Sequence, residues 1–346
     1  MTSSDIAISA EGVVRRFGRL VALDHVDVAV RGGEMYGFLG PNGAGKSTLT
    51  RVLCTLLNPS AGRATVAGYD VTSQADQVRL RVGVALQEAA LDNGQTGAEM
   101  LTLQGRFYGL SRAATRARVA ELTELVDIGE ALGQRVGTYS GGMKRRLDLA
   151  LALVHDPEVL FLDEPTTGLD PVSRARVWQE VRRLNTELGM TVFLTTQYLE
   201  EADELADRVG IINHGRLVAE GTPTELKRAI GTDVVVVTLE GPVTEALRVL
   251  EPLDVVQRID IAGRTLTVSV SDGPAAISPV AVTLSAATGV VVKELSLRRP
   301  SLDDVFLSVT GERIATPEGG VNEDAARPRD LAAPVDADPR SSQESP

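Results

Sequence analysis

Cysteine is almost missing from these 346 residues: Cys54 stands alone. A single thiol excludes an internal disulfide and any multi-thiolate metal site, and it fits a reducing cytoplasm. Its place in an apolar helical run after a glycine-rich loop marks it as a buried residue, a reactive thiol being the alternative. Aromatic residues make up only 3% of the chain. Apolar packing must therefore rest on Leu, Val, Ile and Ala, and any single exposed ring calls for an explanation. Basic residues are outnumbered, 35 Lys and Arg against 47 Asp and Glu, for a net charge of -12. That balance lacks the basic stripe a phosphate backbone requires, so no nucleic-acid partner is expected. No stretch approaches the roughly 18 uninterrupted apolar residues of a spanning helix. The opening MTSSDIAISAEG shows no basic run followed by an apolar core, so no secretory signal is expected. His25, His155 and His214 are scattered without the spaced partners of a metal site, and all three read as structural.

What is present suits a globular chain of two domains: 43% hydrophobic and 24% charged residues, enough to bury a sizeable core. From Ile6 to about Ala219, short β-like runs alternate with helical patterns, the sign of α/β layering. The runs IAISAEGVV, HVDVAV and MYGFLG read as strands, and the last runs straight into a glycine-rich turn followed by helical STLTRVLCTLL. Between about residues 88 and 158 strand signals give way to helical ones, which predicts a helical insert. Strands return at VLFLDE and TVFLTT with a helix between them, and RVGIINHGRLVAEG reads as a hairpin turning at His214-Gly215. Gly221-Thr222-Pro223 breaks the pattern. Residues 1–230 are read as one domain and 231–311 as a smaller α+β domain of ferredoxin-like βαββαβ order. Residues 312–346 are rich in Pro, Ala, Asp, Glu and Arg without apolar periodicity, and a disordered acidic tail is expected there.

Three segments carry chemistry. The first, GPNGAGKST, spans Gly40, Pro41, Asn42, Gly43, Ala44, Gly45, Lys46, Ser47 and Thr48 and matches G-x-x-x-x-G-K-[ST]. In that pattern glycines let backbone N–H groups curl around phosphates, the following helix adds its dipole, the lysine reaches the β- and γ-phosphates, and the hydroxyl of Ser47 ligates Mg²⁺. The second, VLFLDEP, is an apolar strand ending in two carboxylates: Asp163 is suited to the metal and Glu164 to polarising a water for in-line attack. The third, YSGGMKRR, opens a helical run and puts Ser140, Gly141 and Gly142 at a helix N-terminus, a second anion site.

Phosphate loop, YSGGM and FLDEPTTGLD, in that order, resemble the nucleotide-binding subunits of ABC transporters over roughly residues 6–230. The resemblance implies a P-loop NTPase of ABC type, with ATP and Mg²⁺ as ligands. It also implies that Ser140, Gly141 and Gly142 bind the γ-phosphate of ATP held by a second subunit, so that two sites form when two subunits close head to tail. Phe17 falls where the family stacks an aromatic ring on adenine, a core phenylalanine being the alternative. Gln87 matches the glutamine that touches Mg²⁺ and the attacking water and senses the membrane partner; Asp170 matches the aspartate of the loop that crosses the dimer interface. Gln197 stands where most members carry a histidine. Glutamine keeps a hydrogen-bond donor near the γ-phosphate but cannot become cationic. A variant of a working site is expected, with slower hydrolysis.

TTQYLEEAD and PSLDDVFLSVTG narrow the resemblance to the daunorubicin-resistance type of ATP-binding subunit, along the whole chain apart from the tail. The partners implied are an integral-membrane permease, made separately, and a second copy of the chain or a homologous ATPase subunit. The location implied is peripheral, on the inner face of the cell membrane, and the cargo a drug, antibiotic or lipid. The LDDVFL segment is carried over as a dimer-stabilising or coupling element; a helix packing on the second domain explains its spacing equally well. Two further readings are a non-transport ABC-fold ATPase and an ATP-dependent regulator. Against the DNA-repair members of the first stands a spacing of only 94 positions from Lys46 to Ser140, too short for their long coiled coil. Lys144, Arg145 and Arg146 are read as the wet face of the signature helix, Glu200, Glu201, Asp203 and Glu204 as a solvated helical face, and Trp178 as packing.

Overall fold

The computed structural model describes residues 6–86, 91–231, 233–241 and 243–311. Two long strands, β1 (Ile6–Phe17) and β2 (Leu20–Arg31), lead to β3 (Met35–Leu39) and helix α1 (Lys46–Leu53). Next come β4 (Ala61–Val66), β5 (Tyr69–Asp70), α2 (Ala75–Arg79) and β6 (Val82–Ala85). Helices α3 (Gly97–Phe107), α4 (Arg112–Leu125) and α5 (Gly141–Leu153) precede β7 (Val159–Asp163), α6 (Pro171–Leu188), β8 (Thr191–Thr196) and α7 (Leu199–Leu205). The hairpin β9 (Arg208–Asn213) and β10 (Arg216–Gly221) and helix α8 (Pro223–Ile230) complete the first lobe.

A six-stranded sheet in the order β10-β9-β3-β8-β7-β6 forms its centre, parallel except for the β10 edge. Every residue of β3, β7 and β8 is buried. MYGFL, VLFLD and TVFLTT are therefore continuous apolar runs rather than alternating ones, as strands covered on both faces must be. The scarce rings gather here: Phe193 lies 5.6 Å from Tyr36, 5.5 Å from Phe38 and 5.6 Å from Phe161, centroid to centroid. The second sheet, β2-β1-β4-β5, is antiparallel. Its strands β4 and β5 have no counterpart in the sequence reading, because AGRATV and YD are too short and too mixed for a period to show.

The expected helical insert is present in its described part. Between Leu91 and Val154 the secondary structure is helical, apart from one isolated bridge, Thr96 to Arg135. Each helix starts on a side chain that satisfies its first free N–H groups: Thr96 with Glu99 in a reciprocal box, Ser111 and Ser140.

The C-terminal elements are β11 (Asp233–Leu239), α9 (Thr244–Leu250), β12 (Val256–Ala262), β13 (Thr265–Val270), α10 (Gly273–Ala286), β14 (Val292–Arg298) and α11 (Leu302–Thr310). The sheet order β12-β13-β11-β14, antiparallel throughout, is the ferredoxin-like arrangement that the βαββαβ order predicts. Val235, Val237, Leu266, Val268, Val280 and Leu284 fill its core.

Helix α11 does not pack on that core. Leu302, Val305 and Phe306 bury themselves among Leu39, Leu199, Ala202, Val209 and Leu226 of the first lobe, against α7 and α8. The apolar spacing of LDDVFL is thus explained by the first lobe, not by the second domain. The acidic tail at 312–346 lies outside the described residues.

Candidate nucleotide site

Strand β3 ends at Leu39, and the chain turns through GPNGAG into α1. Gly45 takes φ 114°, and a Cβ there would stand 2.6 Å from the Ala22 carbonyl oxygen; at Gly40 it would meet the Ile212 carbonyl at 2.5 Å. Both positions therefore require glycine on space alone. The loop is braced from outside. The N–H of Gly215, in the β9-β10 turn, donates to the Ala44 carbonyl at 2.9 Å, and the Asp24 N–H donates to the Gly215 carbonyl at 2.8 Å. The predicted turn at His214-Gly215 is present, both residues at positive φ, and it serves as the buttress of the phosphate loop.

Lys46 begins α1 and is 4% exposed. Its Nζ donates to the carbonyls of Gly40 at 2.7 Å and Pro41 at 3.2 Å, and lies 3.2 Å from Glu164 Oε1. Burial lowers the lysine pKa from its ordinary value, while the charges of Glu164 and Asp163 oppose that shift. One turn of chemistry is thus drawn together from two distant segments. Ser47 Oγ donates to Asp163 Oδ1 at 3.1 Å, and Thr195 Oγ1 donates to the same oxygen at 2.5 Å. Glu164 follows the last residue of β7 at φ 50°, in the left-handed region that a non-glycine residue occupies at a cost. Its N–H is held by the Thr195 carbonyl at 3.0 Å, and its Oε2 accepts from Thr167 Oγ1 at 3.3 Å. Gln197, directly after β8, is buried, and the carbonyl of its neighbour Thr196 accepts from the Gly40 N–H at 3.3 Å. Thr48 is half-buried on the first turn of α1.

A second cluster is built on two neighbouring helix starts. Ser140 caps α5, its Oγ accepting from the Met143 N–H at 3.3 Å, and Asp170 caps α6, accepting from the Ser173 N–H at 3.0 Å and the Ser173 hydroxyl at 2.6 Å. Those bonds hold the Asp170 pKa below the usual carboxylate value. A Cβ on Gly142 would come 3.2 Å from Ser173 Oγ, so the two helix N-termini, each a favourable place for an anion, touch at a glycine. Among the described residues no hydrogen bond joins Ser140, Gly141 or Gly142 to the phosphate loop. Phe17 forms a third point at the end of β1, 43% exposed, with the Arg15 guanidinium 4.7 Å from its ring centroid. The core-phenylalanine alternative is thereby overturned. Gln87 lies outside the described residues.

Two readings of charged residues are corrected. Arg145 is no wet face. It is buried, donating to the Leu86 carbonyl at 2.7 Å, to Asp148 Oδ2 at 2.9 Å and toward the Asp163 carbonyl at 3.5 Å. Burial lifts the Asp148 pKa to about 6, against the pull of Arg145. Glu201 is not solvated either: it is 0% exposed, while Glu200, Asp203 and Glu204 around it are exposed as expected. Trp178 does pack, and its Nε1 also donates to Glu201 Oε1 at 2.9 Å. Sequence reasoning missed Thr195 and Arg145; the signals were a Thr-Thr pair ending an apolar strand and an oppositely charged pair at i,i+3. Cys54 is buried as expected, its thiol pKa well above the ordinary value because of that burial. His155 stacks on Tyr108 with ring centroids 3.7 Å apart, a packing role.

Similarity to known proteins agrees with this geometry. The family model described as ABC transporter matches residues 23–167, and that described as the C-terminal domain of DrrA1-3-like ATP-binding proteins matches 221–310. The daunorubicin resistance ATP-binding protein DrrA3 of Streptomyces coeruleorubidus is 50% identical over 311 residues, covering 89% of this chain and 97% of that protein. The Nod factor export ATP-binding protein I of Sinorhizobium fredii is 40% identical over 314 residues, covering 90% and 88%. Among solved structures, cbiO1 from Clostridium perfringens, part of the ABC transporter complex cbiONQ, superposes with a TM-score of 0.61 at 27% identity over 65% of this chain and 93% of its own. The chain belongs to the ABC transporter ATP-binding subunits of the daunorubicin-resistance type, a family of ATPases.

Proposed function

We propose that this chain hydrolyses Mg·ATP to drive a separate permease that exports a drug, antibiotic or lipid, and that it does so closed head to tail on a second copy or a homologous ATPase subunit. The observation that carries this reading is the convergence of Lys46, Ser47, Asp163 and Glu164 at the ends of β3 and β7, Lys46 lying 3.2 Å from Glu164 and Ser47 bonded to Asp163 at 3.1 Å. Phosphoryl transfer needs little covalent help from the protein and depends on positioning and electrostatics. Lys46 is positioned to exchange the Gly40 and Pro41 carbonyls for phosphate oxygens. That exchange also loosens its pairing with Glu164, whose carboxylate is then available to polarise the attacking water. Gln197 supplies a neutral donor beside the same place.

The donor set fits Mg²⁺. The Ser47 hydroxyl and the Asp163 carboxylate lie side by side as hard oxygen donors, few in number, as suits a cation that takes its remaining oxygens from phosphates and water. When bound, the metal neutralises charge that develops on the phosphates. Phe17 offers its exposed face to adenine. Ser140, Gly141, Gly142 and Asp170 point their helix N-termini toward the nucleotide of the partner, with Gln87 in its metal-touching and sensing role.

Residues 1–230 perform this work in the proposed division of the chain, with 231–311 as an accessory domain and 312–346 as a tail. No described helix is long and apolar enough to cross a membrane; in this reading membrane attachment runs through the permease. Its seat is the groove of about 530 Å³ between β6 and α3, lined by Leu86, Leu91, Met100, Leu103, Phe107 and Tyr108. In a chain this poor in rings, Phe107 is 75% exposed at that mouth, and Leu86 immediately precedes Gln87.

The test is steady-state ATP hydrolysis by the purified chain, with and without membranes holding a candidate permease. Glu164→Gln is expected to lose about 10²–10⁴-fold in kcat while still binding ATP and trapping a dimer on a sizing column. Gln197→His is expected to turn over at least as fast as wild type. ATP binding without turnover under every condition would instead favour the regulator.

A further inference from the structure

Glu201 is the only fully buried carboxylate on the face of α7 that looks toward the hydrolytic segments, and it joins three of them. Its Oε1 accepts from Thr166 Oγ1 at 2.8 Å and from Trp178 Nε1 at 2.9 Å. Thr166 sits two residues past Glu164, in the loop that runs on to Asp170; Trp178 belongs to α6, the helix that Asp170 caps. Glu201 itself sits on the helix that starts two residues after Gln197. One carboxyl oxygen therefore ties the Glu164 loop and the Asp170 helix to the segment bearing Gln197. The other oxygen, Oε2, is enclosed with no hydrogen-bond partner among the described residues.

A purely structural position of this depth would be filled at lower cost by leucine or methionine, since a buried carboxyl pays desolvation that apolar packing avoids. We infer that Glu201 is a positioning residue for ATP hydrolysis, holding the Glu164 loop and the Gln197 segment in register through its bonds to Thr166 and Trp178. Burial raises its pKa above the ordinary carboxylate value, opposed by the Thr166 and Trp178 bonds, by the nearby Thr196 hydroxyl, which falls short of full hydrogen-bond geometry, and by the charge of Arg174.

The inference rests on Glu164 and Gln197 forming the hydrolytic site, so the experiment separates the two. In the full-length protein, kcat, KM for ATP and the affinity for a fluorescent ATP analogue are measured for wild type, Glu201→Gln, Glu201→Leu, Thr166→Val and Trp178→Phe. Glu201→Leu is expected to lose about 10- to 100-fold in kcat, the scale of a small misplacement of reacting groups, with nucleotide affinity within about threefold of wild type, and Glu201→Gln, which keeps the acceptor oxygen, to recover most of that loss. Thr166→Val and Trp178→Phe each delete one bond without opening a large cavity, and each is expected to lower kcat but not affinity, so they carry the test if the leucine variant does not fold. A leucine variant with wild-type kcat, a glutamine variant as slow as the leucine one, or a parallel loss of affinity and kcat across the set overturns the inference. A wild type without turnover overturns the hydrolytic reading itself.

Discussion

The two lobes of this chain both bury apolar side chains, but only the first buries polar and charged ones beside them. Every buried polar or charged residue among those described lies between Glu34 and Glu201; the ferredoxin-like domain encloses only Val, Leu and Ala, and closes on nothing that titrates. A buried charge costs several kcal/mol unless it is paired, so a fold keeps one where it has a use for it. Lys46, Asp163, Glu164, Arg145, Asp148 and Glu201 all stand within the segments that hold or brace the nucleotide loop. The C-terminal domain has an apolar core with none of these buried charges.

The sharpest way to break the contrast is to damage the apolar lobe and watch the polar one. Leu266→Ala, in the centre of the C-terminal sheet, is expected to cost about 2–5 kcal/mol of stability in urea unfolding while kcat stays at the wild-type level under conditions where the protein is folded. A fall in kcat would show that the accessory domain reaches the catalytic segments. A smaller effect probes the polar lobe. Burial lifts the Glu180 pKa to about 7 from an ordinary 4.5, held back by the charges of Arg146 and Arg176 and reinforced by that of Asp127, and its Oε2 has no hydrogen-bond partner among the described residues. The folded state thus holds this proton more tightly than the unfolded chain, and wild-type stability falls as pH rises from about 4.5 to about 7. Glu180→Gln removes that loss. Its advantage over wild type should be small at pH 5 and grow by about 1–3 kcal/mol by pH 8, measured by unfolding at the two pH values; a difference that does not change with pH would contradict it. The smallest expected change is at the exposed ring. Phe17→Ala should weaken ATP binding about fivefold, near 1 kcal/mol, without altering the unfolding midpoint, because the ring already faces solvent.

The same contrast explains what the sequence reveals. Apolar runs such as VLFLD and TVFLTT, the loop GPNGAGKST and the βαββαβ order are local patterns, and local patterns carry the sheet, the phosphate loop and the second domain. Arg145 and Glu201 are invisible to such reading because each stands among charged neighbours on its own helix, half-buried around Arg145 and mostly exposed around Glu201; only the segments packed across from them decide which one turns inward. Helix α11 escaped for a related reason. LDDVFL states that one face is apolar and says nothing of which lobe will cover it, and the choice falls to chain geometry. Phe17 is legible only by its place in the motif order, and its exposure leaves the ring open for the proposed contact with adenine.

The return of α11 has a further consequence. Helix α8 leaves the first lobe and α11 re-enters it, and the two lie against each other. The segment between them therefore has the topology of an insertion, not of an appended module: both ends are pinned at one place on the same body. Such a segment has no free hinge about which to swing, and any force applied to its sheet is delivered at the junction of α8, α11 and α7, one turn of helix away from Gln197.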